Sequence, residues 1–69
     1  MEVGELKSAL AAAIDALPDR ERMVISMYYY DELTVKEIAS VLGVSESRVS
    51  QLHTRAMMRM RTDVKRAAT

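Results

Sequence analysis

Few side chains in this sequence could carry out catalysis or hold a metal ion. Cysteine is absent and His53 is the single histidine, so a thiolate nucleophile and the usual zinc-binding sets are missing. The acidic pairs Asp19/Glu21 and Asp31/Glu32 fall at an expected helix start and in an expected polar loop, which are ordinary places for carboxylates. We interpret His53 as a surface or packing residue. The sequence therefore predicts no catalytic residue, no metal and no cofactor.

Polar side chains that can read nucleic-acid bases are concentrated between residues 46 and 55. On the helical face opposite the apolar positions, this segment carries Glu46, Ser47, Ser50, Gln51, Thr54 and Arg55. Glutamine can form two hydrogen bonds with adenine, glutamate can accept one from cytosine, and serine suits several bases. We therefore predict base contacts here, with Gln51 as the strongest candidate. The alternative for Gln51 is an ordinary solvated side chain on a helix surface.

Basic residues are unevenly distributed along the chain. Residues 1–44 contain eight acids and four bases, a net charge of −4, whereas the remainder contains six bases and two acids, a net charge of +4. Arg48 stands where a capping box would carry glutamate and where a cation opposes the helix dipole. We predict that it contacts a phosphate; an ion pair with Glu37 or another acid of the preceding helix is the alternative. Arg55 and Arg59 are also predicted to contact phosphates, unless they form only a solvated basic face.

Two helices joined by a tight turn are predicted to position these side chains. Thr34 and Glu37 fit a capping box that begins the first helix. Gly43 suits the left-handed position that ends it. Ser45 suits the cap of the next helix, which is expected from residue 46 to about residue 61 or beyond.

The apolar and small residues of this segment recur in one register. Those expected in the core are Ile38, Ala39, Leu42, Val44, Val49, Leu52, Ala56 and Met60. This spacing predicts a helix-turn-helix over about residues 34–61, whose second helix would enter the major groove of DNA. The alternative is two capped amphipathic helices that pack together without binding DNA.

Two further helices are predicted before residue 34. Pro18 separates them, because it cannot continue the first helix but suits the first turn of the second, expected over residues 19–29. The first helix is expected to bury one apolar stripe, consisting of Val3, Leu6, Leu10, Ala13, Ile14 and Leu17. The prediction is an all-α fold, a single four-helix domain over residues 1–69 with a C-terminal helix-turn-helix.

The helix expected at residues 19–29 has more apolar surface than one core contact needs. Its apolar residues form two stripes, Val24, Ile25 and Tyr28 in one and Met23, Met27 and Tyr30 in the other. We expect the first stripe in the core and predict the second as a docking surface for a partner protein. Met57, Met58 and Met60 are expected mainly to fill the core, with an adaptable partner surface as the alternative.

No segment has the pattern of a signal peptide or a membrane span. Glu2 and Glu5 stand where a signal peptide would carry basic residues. The apolar run at residues 9–14 is far shorter than the roughly 20 residues that a bilayer requires. We therefore expect a cytoplasmic protein that does not bind membranes.

Three stretches of the chain resemble region 4 of the sigma-70-type RNA polymerase sigma factors. They are LPDRER at residues 17–22, LTVKEIA at residues 33–39 and VLGVSESRVSQLH at residues 41–53. The run ESRVSQLH at residues 46–53 is most similar to the flagellar or motility branch. The resemblance covers nearly the whole chain, and it implies one domain of a longer sigma factor.

The resemblance implies that this domain reads the −35 element of promoters while docked on the flap of the RNA polymerase beta subunit, and that it catalyses nothing. It implies base contacts for Glu46, Ser47 and Gln51 and phosphate contacts for Ser45, Arg48 and Arg55. Housekeeping members carry arginine and glutamate at the first two base-reading positions, so their −35 sequence is not expected to apply here. In the motility branch, an anti-sigma factor is a further expected partner.

Two other functions fit parts of the pattern. The output domain of a two-component or quorum-sensing regulator also has four helices and would usually dimerise through its last helix. The run ESRVSQ at residues 46–51 favours the sigma factor over such a regulator. The other alternative is a protein-docking module whose DNA-binding face is vestigial, which weak phosphate affinity combined with tight partner binding would indicate.

Overall fold

A computed structural model describes residues 3–68, with side chains at residues 3–5 and 7–63. These residues form four α-helices and no strand: α1 (Val3–Asp15), α2 (Asp19–Tyr29), α3 (Val35–Leu42) and α4 (Glu46–Ala68). The predicted all-α, four-helix architecture is confirmed. No helix in the described range is long and apolar enough to cross a membrane.

Helix α1 ends two residues before the position that the apolar pattern predicts. The Leu17 N–H donates to the carbonyl of Ile14 at 3.1 Å. This bond spans three residues instead of the four of an α-helix, so the chain turns more tightly here. Pro18 is the cause, because a proline ring disfavours the helical conformation of the residue before it. Pro18 itself is extended, with ψ 149°, and serves as the N-cap of α2.

The predicted caps of the helix-turn-helix are confirmed. Thr34 Oγ1 accepts from the Glu37 N–H at 3.1 Å, and Glu37 Oε1 accepts from the Thr34 N–H at 3.0 Å, which together form a capping box. Gly43 ends α3 in the left-handed region, at φ 68° and ψ 35°. Ser45 Oγ accepts from the Arg48 N–H at 3.0 Å and so caps α4.

Two clusters of buried side chains form the core, and both include residues of α2 and α4. The first cluster also involves α1 and the turn after it, and consists of Ala13, Leu17, Ile25, Ala56 and Met60. The second cluster also involves α3, and consists of Val24, Ile38, Ala39, Val49 and Leu52. Helix α4 contributes buried residues to both clusters, from Val49 to Met60. Packing therefore holds this helix along two-thirds of the length over which its side chains are described.

The stripe predicted on the first helix is only partly buried. Ala13 and Leu17 are buried and Ile14 packs against them, but Val3 and Leu10 are 71% and 40% exposed. The first cluster begins at Ala13, so the earlier turns of α1 contribute no described residue to either buried cluster. The expected burial of Leu6 concerns a side chain outside the described set.

Two other core predictions are corrected by the structure. Tyr28, expected in the core beside Val24, is 40% exposed. It packs against His53 at the rim of the second cluster instead, with ring centroids 5.3 Å apart. Leu42 and Val44 are only partly buried, although both pack against that cluster as predicted.

Candidate nucleic-acid interface

The outward face of α4 carries the residues predicted to contact bases. Glu46, Ser47 and Gln51 are all exposed and lie in the first two turns of the helix. The inward residues of the same turns, Val49 and Leu52, are buried in the second cluster. The residues predicted to contact bases therefore lie on a helix whose opposite side is held in place by packing.

The N-terminus of α4 has hydrogen-bond donors of the kind that bind anions. Ser45 Oγ uses a lone pair for the Arg48 N–H, so its hydroxyl hydrogen remains available as a donor. The first N–H groups of a helix and its positive dipole end favour phosphate at the same place. Ser45 is exposed, as a phosphate contact requires.

Arg48 and Gln51 are joined by a hydrogen bond on the outer surface of α4. Arg48 Nη1 donates to Gln51 Oε1 at 3.4 Å, near the long limit for such a bond. This contact leaves the Gln51 amide NH₂ group as the donor that faces away from Arg48. The side chains predicted to contact a base and a phosphate are thus hydrogen-bonded to each other.

Glu37 is not the partner of Arg48 in the structure. Its carboxylate is used by the capping box at Thr34. The backbone N–H and the hydroxyl of Thr34 hold the pKa of Glu37 below its ordinary value of 4.5. The ion pair that was the alternative interpretation of Arg48 is therefore absent, which leaves the Arg48 guanidinium exposed beside Gln51.

Arg59 forms an ion pair within the protein, whereas Arg48 and Arg55 form none with the residues whose side chains the structure describes. Its Nε donates to Glu21 Oε1 at 2.9 Å, linking α4 to the first turn of α2. The Glu21 side chain is only 6% exposed, whereas that of Arg59 is 56% exposed. Removing one partner of such a pair leaves a buried charge uncompensated, which costs about 3–5 kcal/mol when the pair is fully buried and less here, because Arg59 is half exposed.

Sequence reasoning missed the role of Glu21, which it treated as an ordinary helix-end acid. The signal that could have found it is the spacing of Glu21, Val24, Ile25 and Tyr28, which places the carboxylate on the same face as the core residues of α2. An acidic residue at an inward position needs a cationic partner. The partner could not be identified by spacing, since 38 residues separate it from Glu21.

An aromatic cluster lies on the flank of α4 that includes His53. Tyr29 Oη and His53 Nε2 are 3.1 Å apart, and the Tyr28 and Tyr29 rings have centroids 4.9 Å from each other. His53 is half-buried and packs against the rings of Tyr28 and Tyr29, which agrees with its interpretation as a surface or packing residue. In the described part of the chain, no three acidic or histidine side chains gather as a metal site would need.

The residues predicted to dock a partner differ in exposure. Met23 and Tyr30 are 42% and 78% exposed, whereas Met27 packs against the second core cluster. The expectation that the later methionines fill the core is wrong for Met57 and Met58, which are 42% and 65% exposed. Both lie beside Leu10 in a shallow groove between α1 and α4.

Comparison with known proteins identifies a family that matches most of the chain. The family described as "Sigma-70, region 4" matches residues 13–62. The chain is 55% identical over 58 residues to RNA polymerase sigma factor FliA of Yersinia enterocolitica, covering 84% of this chain and 25% of that protein. It is 60% identical over 55 residues to FliA of Pseudomonas aeruginosa, covering 80% and 22%.

A more distant relative is also named as an RNA polymerase sigma factor. The chain is 42% identical over 57 residues to the RNA polymerase sigma-D factor of Bacillus subtilis, covering 83% of this chain and 22% of that protein. No solved structure matches. The chain spans about a quarter of the length of the curated relatives it matches.

Proposed function

The chain belongs to the sigma-70 region 4 family, a helical DNA-binding domain of transcription initiation factors and not an enzyme, and we propose that it reads the −35 element of flagellar-type promoters. In this role it acts on double-stranded DNA in the cytoplasm as one domain of a longer sigma factor. Its relatives named FliA support the flagellar branch.

The observation that carries this proposal is the division of α4 into two faces. Its inward face enters both core clusters, while Glu46, Ser47 and Gln51 are exposed in its first two turns. A recognition helix contacts base edges with its N-terminal residues, and it must hold them in a fixed register with the groove. Packing of the opposite face against the other helices fixes the orientation of α4, which such a register requires.

We assign two kinds of contact to the exposed residues. Glu46, Ser47 and Gln51 contact bases, with Gln51 bonding adenine or another base through its amide. Ser45, Arg48 and Arg55 contact phosphates on the flanks of the groove. The phosphate contact predicted for Arg59 would have to compete with its ion pair to Glu21.

Two partner proteins complete the proposal. The domain docks on the beta flap of RNA polymerase, and an anti-sigma factor competes for it. The exposure of Met23 on α2 and of Tyr30 at its C-cap supports a protein contact at this surface. Met27 contributes less to it, since it packs inward.

The test is a salt-titrated selection of binding sequences from a random duplex pool, run for the wild type and for Gln51→Ala. We expect one sequence to be enriched, and Gln51→Ala to relax one position at a cost of about 1–3 kcal/mol. Ser8→Ala, an exposed change on α1, is the control and should select the wild-type sequence.

A selection that enriches no sequence would contradict promoter reading by the isolated domain. If no sequence is enriched and Gln51→Ala is silent, the isolated domain is a docking module and does not read promoters by itself. Met23→Ala and Tyr30→Ala would then be tested for loss of binding to the polymerase flap.

A further inference from the structure

We infer that Glu21 withholds Arg59 from DNA and thereby sets how tightly this domain binds a promoter. The inference rests on the proposed DNA-binding function. It concerns a residue on α2, outside the helix that carries the proposed contacts. Glu21 acts as an internal competitor of the phosphate group.

The geometry gives Glu21 a firm hold on Arg59. The 2.9 Å bond joins a charged donor to a charged acceptor, the strongest ordinary kind of hydrogen bond in proteins. Among the described residues, Arg59 is the only hydrogen-bond partner of the Glu21 carboxylate. Because that carboxylate is 6% exposed, water cannot replace the guanidinium.

Arg59 would otherwise extend the row of phosphate-binding arginines. Arg48, Arg55 and Arg59 are separated by seven and four residues, which places them on one side of α4. Arg59 lies about 6 Å beyond Arg55 along the helix axis. Its side chain is 56% exposed, so burial does not shield the guanidinium from an approaching phosphate.

The ion pair removes Arg59 from the electrostatics of DNA binding. Salt-dependent affinity arises when a net positive charge neutralises a phosphate and releases its counterions. The Glu21–Arg59 pair carries no net charge, and a phosphate that approached Arg59 would also approach the Glu21 carboxylate. We therefore expect phosphate neutralisation by Arg48 and Arg55 but not by Arg59.

The expected effect of one phosphate contact is measurable. Each contact adds about 0.9 to the slope of log affinity against log salt. If the contact is neutral at 1 M salt, it strengthens binding about 15-fold at 50 mM salt and about 4-fold at 200 mM.

The first experiment compares Arg59→Gln with Arg55→Gln in the full chain, using a fixed DNA duplex over 50–200 mM salt. Both substitutions remove one positive charge from the same side of α4. We expect Arg55→Gln to lower the slope by about 0.9 and Arg59→Gln to leave it unchanged. Equal losses in the two variants would overturn the inference.

The double variant Glu21→Gln/Arg59→Gln guards against unfolding, because it leaves no unpaired buried charge. Helical circular dichroism and a thermal melt establish that each variant is folded. The double variant is expected to keep the wild-type slope. A loss of about 0.9 in that slope would show that Arg59 contacts phosphate despite Glu21.

The second experiment uses Glu21→Gln alone, which keeps an acceptor oxygen beside Arg59 but removes the negative charge. We expect the slope to steepen by about 0.9 and affinity at 50 mM salt to rise about 15-fold. Unchanged or weaker binding would overturn the inference. A steeper slope here, together with no loss in Arg55→Gln, would support the role of Glu21 while contradicting the phosphate contact proposed for Arg55.

Discussion

Gln51 and Arg48 share a hydrogen bond on the surface of α4, from Arg48 Nη1 to Gln51 Oε1. Both side chains are exposed, so each is also accessible to DNA. If Arg48 binds a phosphate in the complex, its remaining donors can continue to hold the Gln51 amide, because a guanidinium has five. Backbone binding and base reading are then coupled through one side chain.

Arg48→Ala is expected to have two effects on DNA binding. It should lower the salt slope by about 0.9, because a phosphate contact is lost. It should also reduce discrimination at the base read by Gln51, with a coupling energy of about 0.5–3 kcal/mol in the double-mutant cycle with Gln51→Ala. The measurement is affinity for the preferred duplex and for each single-base variant of it.

Arg55→Ala is the matched control for that cycle. It should lower the slope by a similar amount but leave discrimination unchanged, because among the described residues the Gln51 amide is hydrogen-bonded to Arg48 and not to Arg55. Additive effects of Arg48→Ala and Gln51→Ala would contradict the coupling.

At the scale of single helices, local signals predicted most of the structure. The capping box at Thr34 and the left-handed Gly43 depend on contacts within four residues, so their sequence signatures determine them directly. The end of α1 was placed two residues too late, because the apolar period continues through Leu17 while the conformational effect of Pro18 acts before the proline itself.

Gly43 should be replaceable by asparagine more readily than by alanine. At φ 68° a side chain is strained whatever space surrounds it, and apart from the neighbouring residues of the chain no described atom lies within 4 Å of a Cβ at this position. Gly43→Ala should therefore destabilise the fold by about 1–2 kcal/mol through backbone strain alone. Gly43→Asn should cost less, since asparagine tolerates this region. Chemical denaturation measures both, and equal costs would contradict this explanation.

The capping box should make stability depend on pH through Glu37. The hydrogen bonds from Thr34 lower the pKa of the Glu37 carboxyl in the folded state. Glu37 therefore stabilises the fold fully at pH values above 4.5, the ordinary pKa of this group. That stabilisation is lost as the pH falls through the lowered folded-state pKa. Thermal melts at pH 7 and pH 3 should show a wild-type advantage over Glu37→Gln that shrinks in acid; a constant difference would count against the capping role.

Burial across the whole molecule was harder to predict than helix positions. The periodicity of α1 and α2 identified Ala13, Leu17, Val24 and Ile25, all of which are buried. It also selected Leu10, which remains 40% exposed. A period shows which residues share a face, but the angle and length of contact between two helices decide which turns of that face are covered.

Two leucine-sized residues on different helices test this description of the core. Ile38 is fully buried in the second cluster, so Ile38→Ala should destabilise the domain by about 2–5 kcal/mol. Leu10→Ala should cost much less, because its side chain already contacts solvent. Urea denaturation followed by circular dichroism compares them, and similar losses of stability would show that α1 is packed more closely than described.

Helix α4 has 23 residues and therefore extends over about 34 Å, close to the 38 Å length of the described molecule. Met60 is anchored against α1 about 13 Å along the axis from Gln51. A rigid rod of this length acts as a lever: a tilt of about 5° at Met60 displaces the Cα atom of Gln51 by roughly 1 Å. Because Val49 and Leu52 hold the same helix against α3 in the second cluster, such a tilt requires α3 to shift as well, and a change in the packing of α1 alone leaves the proposed base-contacting residues in place.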